Sequence, residues 1–312
     1  MSAGQKNTPR DPACQSGTVF FSNPLMSDIE SDWSPIHEAA FNGRLLTLQK
    51  LIDQGACVNL NTLDMVSPLH GACTQGHTAC AKLLMENGAN VNSSTLDGKT
   101  ALTEACAQGH VTCVSLLLQH GAASLGTSQS SSPIHIAATK GHPECIEPLV
   151  QYGADVDQHV DKLGTPLQIA CSNQHLSTVR KLLQLGANVN SSVSGDSPLH
   201  IAARQSSPEL TSVLLEHGAD LFLRNSEGSQ PLDLAPPNSL TERLLKQAGG
   251  VSPLMQLCRL HIRKAVGNKR LGAICDLQLP TELIEYLLYQ SDPRGALNAL
   301  KFLNPATSDF ES

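Results

Sequence analysis

Histidine and cysteine are the side chains of this 312-residue chain best equipped to ligate a metal or serve as base and nucleophile. It holds 12 of the first and 10 of the second. A metal site needs several of them converging on one point, at spacings such as CxxC. Nucleophilic catalysis needs a base beside a reactive Ser or Cys. Instead, these residues recur in register along the chain. His37, His70, His135 and His200 each close a Ser-Pro-Ile/Leu-His tetrapeptide, and His77, His110, His142 and His175 share a slot ten residues after a tetrapeptide's first position. Cys73, Cys106 and Cys171 lie six residues in, where Ala40, Ala138 and Ala203 stand in other copies, and Cys80, Cys113 and Cys145 lie thirteen residues in. A slot that takes Ala or Cys calls for a small apolar side chain, and a free thiol packs as one. Repetition spaces the imidazoles apart, so local hydrogen bonding between turns is their expected role. No metal, cofactor or catalytic residue is expected.

The repeated element explains this spacing. Its copies start at Ser34, Ser67, Thr100, Ser132, Thr165 and Ser197, with a faded one at Gln230, and lie 33, 33, 32, 33, 32 and 33 residues apart. A fixed period of this size marks a stacked-repeat protein, in which each unit buries its apolar face against its neighbours. In the copy from Ser67 to Gly98, Ser67 caps a helix and Pro68 takes its first position. Leu69, Ala72 and Cys73 form one apolar stripe, and Gly76 stops the helix. His77 opens a second helix, with Cys80, Leu83 and Leu84 inward, which ends at Gly88. Leu96-Asp97-Gly98 then makes a hairpin tip. A Gly-Ala pair at Gly55, Gly88, Gly121, Gly153, Gly186 and Gly218 fixes the same register independently, Gly121 included. The copy at Thr100 has Ala101 and Thr103 in place of proline and histidine, so its first turn is expected to be less constrained.

Composition agrees with such an array. Apolar residues make up 40% of the chain, charged residues 16% and aromatics 3%, so the core must come from Leu, Ala, Val and Cys. A net charge of −7 offers no basic excess for nucleic acid. No apolar run is long enough to span a membrane, and the N-terminus lacks the layout of a secretory signal. A cytoplasmic protein is expected.

The period and opening motif closely resemble the ankyrin repeat, over residues 32–248, as six full repeats and a degenerate seventh. The fold class expected is an all-α repeat solenoid. Residues 1–31 read as a flexible leader. Its apolar cluster of Val19, Phe20, Phe21, Leu25 and Met26 either covers the open end of the first repeat, the preferred reading, or helps to bind a partner. The repeats die at Ala235-Pro236-Pro237, followed by a short helix from Leu240 to Lys246. After Gly249-Gly250 comes a segment in which Leu254, Leu257, Cys258 and Ile262 recur at helical spacing, then Leu279-Pro280 ahead of another apolar helix around Leu283 to Leu288. Helices this short cannot make an independent core and need something to pack on.

Residues 252–290 resemble a SOCS box, a small three-helix element, with 291–312 as a tail. The resemblance implies that Leu254, Leu257, Cys258 and Ile262 bind elongin C (with elongin B). It also implies that Leu279 and Pro280 begin the contact with cullin 5 and its RING-box protein. Glu282 stands where the fuller cullin motif has a second proline. The whole chain thus resembles the ankyrin repeat and SOCS box proteins. That implies a non-catalytic substrate receptor of a ubiquitin ligase, which holds a target for ubiquitination and proteasomal degradation. Target contacts are expected from finger tips and first helices, with Asp64, Met65, Asp97, Lys99, Lys162, Asp196 and Glu227 as candidates. The rival reading is an ankyrin scaffold whose last helices only cap the stack. Such a cap gives no reason for Cys258 four residues after Leu254 or Pro280 ahead of a helix.

Overall fold

In the computed structural model, residues 33–125, 132–160, 163–192, 195–249, 254–267, 274 and 279–288 are described. The N-terminal leader, the C-terminal tail and Lys162 lie outside these residues. Each tetrapeptide starts a helix. Inner helices α1 (Pro35–Phe41), α3 (Pro68–Thr74), α5 (Ala101–Gln108), α7 (Pro133–Lys140), α9 (Pro166–Ser172) and α11 (Pro198–Arg204) alternate with outer ones. The outer helices are α2 (Leu45–Asp53), α4 (Thr78–Glu86), α6 (Val111–Gln119), α8 (Pro143–Gln151), α10 (Leu176–Gln184) and α12 (Pro208–Glu216). A one-turn α13 (Pro231–Leu234) and α14 (Leu240–Ala248) close the series, and α15 (Leu254–Val266) and α16 (Thr281–Leu287) follow. Inner helices stack on inner and outer on outer, as α1 on α3 and α6 on α8. The chain is therefore an ankyrin-type solenoid of helices, as the period implied.

One apolar core runs along the stack. The tetrapeptide's third residue is buried in all six copies (Ile36, Leu69, Leu102, Ile134, Leu167, Leu199), and so is the Ala/Cys slot from Ala40 to Ala203. Truncating a leucine fully enclosed in this way costs about 2–5 kcal/mol. The thiols are packing groups here. Cys73 meets Cys113 of the next repeat, and that contact together with burial holds its thiol well above the usual range. Burial alone pushes Cys171 up to about 12.

The starts of inner helices α3, α5, α9 and α11 are secured reciprocally. Ser67 Oγ accepts from the His70 amide, and the Ser67 amide donates to His70 Nδ1 (3.2 Å). At the copy without proline and histidine, Thr103 takes over. The Thr100 amide donates to its Oγ1 (2.8 Å) and the Thr103 amide to Thr100 Oγ1 (3.3 Å). The looser first turn expected there is not found, because a threonine pair closes the same two backbone donors. The second histidine slot also differs in detail: helix α4 begins at Thr78, with His77 as the residue that flanks its start.

Candidate functional site

The recurring histidines bind their own chain. Because the Ser67 amide occupies Nδ1 of His70, Nε2 carries the proton and donates to the Lys99 carbonyl (3.2 Å), in the following finger. His37, His135 and His200 reach Val66, Gly164 and Ser229 in the same way. The other set lies over glycines: a Cβ on Gly43, Gly76, Gly109 or Gly141 would sit within 2.7 Å of the ring of His77, His110, His142 or His175. His110 and His175 also donate Nε2 to Thr74 and Thr139 carbonyls. No grouping of His, Cys, Asp and Glu suited to a metal exists among the described residues.

The finger tips do not form one cluster. Asp64, Met65, Asp97, Lys99 and Glu227 are exposed. Lys99 pairs with Glu104 of α5 (3.4 Å), and Asp196 with Arg204 of α11 (2.9 Å) and with Asn225 of the next finger (2.7 Å), so these two tips are tied to the copy that follows. The first two fingers join through the backbone, the Leu96 amide donating to the Asp64 carbonyl (3.1 Å). Met65 holds a left-handed φ of 62°, at a place in the turn where Gly98 has φ 74°. Sequence reasoning missed Leu63 and Leu96, which stand 85% and 71% exposed at equivalent positions of these two fingers. The available signal was a leucine four residues ahead of the next tetrapeptide, beside the acidic residue of each turn. It also missed a ladder of asparagines. Asn59 spans from the Gly88 carbonyl to the Asn90 amide, and Asn92 and Asn190 repeat the bridge to later repeats.

The most unusual arrangement is at the C-terminal end. Helix α15 turns two arginines inward beside Leu260 and Val266. Arg259 is only 5% exposed and its guanidinium lies 3.5 Å from the centre of the Tyr286 ring, a cation–π contact with α16. Arg263 donates to Leu287 of α16 and to Leu183 of α10 through backbone carbonyls. Nearby His217 donates Nδ1 to the Val213 carbonyl (2.8 Å). Burial, with further repulsion from Arg263, Arg259 and Arg180, lowers its pKa to about 4.

The side of α15 that carries Cys258 and Ile262 faces solvent, Ile262 being 39% exposed. Leu254 and Leu257 lie on the first turn of the same helix, their side chains outside the described ones. Pro280 flanks the start of α16, and its carbonyl accepts from the Leu283 and Ile284 amides. Leu279 is half-buried against the small core of Ile274, Leu287 and Leu288. The four elongin-binding candidates thus share one helix, and Leu279 and Pro280 lie together at the start of the next.

These features define a chain that joins an ankyrin stack to a short helical box with an outward apolar face. Comparison with known proteins agrees. Ankyrin-repeat family models match residues 13–95, 69–160 and 134–225, and a SOCS box model matches 250–288. Mouse ankyrin repeat and SOCS box protein 9 is 51% identical over 289 residues, covering 93% of this chain and 100% of the relative. Human ankyrin repeat and SOCS box protein 5 is 55% identical over 261 residues, covering 83% and 79%. Among solved structures, the human ASB11 ankyrin repeat domain superposes with a TM-score of 0.66 at 48% identity, covering 71% of this chain and all of that one. The chain belongs to the ankyrin repeat and SOCS box protein family.

Proposed function

We propose that this protein is a non-catalytic, cytoplasmic substrate receptor of a cullin–RING ubiquitin ligase. Its box binds elongin C (with elongin B) through Leu254, Leu257, Cys258 and Ile262, and cullin 5 with its RING-box protein through the segment from Leu279 and Pro280. Its repeats hold a target protein so that ubiquitin transfer to it, and its degradation, are accelerated by proximity. The exposure of Cys258 and Ile262 on α15, with Arg259 and Arg263 turned inward, carries this reading. A helix that served only to cap the stack would place its apolar side on the repeats and its charges in water. Here Arg259 takes the inner side and Cys258 and Ile262 the outer. Apolar surface of this kind gains about 25 cal/mol per Å² when a partner covers it.

Target contacts fall first to Asp64, Met65 and Asp97, on the two joined fingers that also present Leu63 and Leu96. Lys99, Lys162, Asp196 and Glu227 take secondary places. Among the described residues no helix is long and apolar enough to cross a membrane. Proximity labelling in cells tests the reading, comparing the native chain with a Cys258→Arg, Ile262→Asp variant. Labelled targets should accumulate with the variant, whereas an identical set at identical abundance rejects the ligase role.

A further inference from the structure

Arg263 joins the box to the array, and we propose that it is a positioning residue, setting the orientation at which the repeats and their target are held over the ligase. This rests on the receptor reading above. Nη1 of Arg263 donates to the Leu287 carbonyl (2.9 Å), at the last residue of α16. Nη2 donates to the Leu183 carbonyl (3.0 Å) and lies 3.5 Å from that of Gln184, at the end of α10. A single planar cation therefore meets the C-terminal carbonyls of two helices, one in the box and one in the fifth repeat. Helix ends of this kind carry partial negative charge, and the Leu183 carbonyl, which accepts from the Gly186 amide (3.1 Å), keeps a second lone pair for the guanidinium. A guanidinium has five fixed donors and can serve both at once, whereas an ammonium is a single compact point.

A second contact fixes the same helix one repeat further along. Leu260 lies against Gly218, in the turn after α12, where φ is +85° and a Cβ would come within 3.0 Å of the leucine methyls. Helix α15 thus crosses the ends of α10 and α12, and Arg259 on Tyr286 holds α16 to it. Transfer by proximity depends on a narrow range of target positions. A box free to swing on the linker after α14 would spread ubiquitin over more lysines.

The test is the distance between spin labels carried by genetically encoded residues at Glu86 on the array and Thr281 on the box, both exposed. It is measured in the full chain, free and bound to elongin B/C. The native chain should give one narrow distribution. Arg263→Ala should broaden it about twofold or more, and Arg263→Lys should give an intermediate width. Elongin affinity should stay within about threefold of native, since the changed residue faces away from Cys258 and Ile262. With cullin 5 and the RING-box protein added, self-ubiquitination should spread from few to many of the chain's own lysines.

Native widths in both variants overturn the proposal. If Arg263→Ala does not fold, Arg263→Lys decides by the same criterion. Failure of the native chain to bind elongin would reject the receptor reading instead, while the distances in the free chain still decide whether Arg263 locks the box.

Discussion

At His70 the ring is fixed by two backbone groups, the Ser67 amide at Nδ1 and the Lys99 carbonyl at Nε2, an arrangement that requires the neutral imidazole. Burial accordingly lowers the pKa of His70 and of His135. Above pH 6.5 these rings are neutral whether the chain is folded or not, and their titration does not affect stability. As pH falls below 6.5 the unfolded chain takes up protons that the folded chain refuses, so stability falls. For His217 the decline continues to about pH 4. Asp157, raised by burial, opposes it only near the ordinary carboxylate range. Urea midpoints should stay level from pH 7.5 to about 6.5 and then drop as pH falls to 5, and a profile flat throughout would contradict these assignments.

The chain also supplies its own substitute for the histidine. Gln168 accepts from the Thr165 amide (2.9 Å) and donates to the Asp196 carbonyl (2.7 Å) in the same slot. His70→Gln should therefore cost under about 1 kcal/mol and flatten the pH dependence, while His70→Ala should cost about 2 kcal/mol by stranding both groups. The register of these histidines was plain in the sequence, and so was their structural character. Their acceptors were not, because the bonded carbonyls lie 29 residues away in the following finger, where any residue type supplies the same oxygen.

Helix α15 shows where reading by periodicity stops. The stripe of Leu254, Leu257, Cys258 and Ile262 was visible, but periodicity alone assigns apolar residues to the inside and arginines to water. Here Arg259 finds an aromatic ring and Arg263 two helix ends, while Cys258 and Ile262 stay exposed. The turns between paired helices raise a similar point. Gly76 was read as a helix stop, yet its φ of +77° is joined by a ring contact that leaves a Cβ only 2.6 Å from His110. Gly76→Ala should lower stability by about 2 kcal/mol, more than backbone strain alone at a site such as Gly88, where a Cβ meets nothing within 4 Å. Thermal melts of the two variants measure the difference directly, and equal losses would remove the histidine from the explanation.

Across the whole molecule, stability should travel only between neighbours, because each repeat packs on the next. The 32- and 33-residue spacing was enough to infer this architecture, since every copy repeats the same helix start and the same small buried slot. It could not reveal that the box rests on the fifth and sixth repeats, because Arg263 and Leu183 are brought together by the path of the chain and share no motif. Binding at 100 times the dissociation constant adds about 2.7 kcal/mol to whatever unfolds with the site. Added elongin B/C should slow amide hydrogen exchange in α15, α16 and the ends of α10 and α12, leaving α1 to α4 unchanged. Uniform protection would show a more cooperative unit than a nearest-neighbour stack.

The central claim is that the outward side of α15 is a docking face for elongin. Calorimetric titration of purified elongin B/C into the native chain and into the Cys258→Arg, Ile262→Asp variant tests it most directly. Both residues are exposed, so the variant should keep the native melting temperature. The expected result is an affinity loss of about 100-fold or more, in keeping with two charges placed in a desolvated apolar contact. Equal affinities for the two chains, or no binding by the native one, would contradict the account.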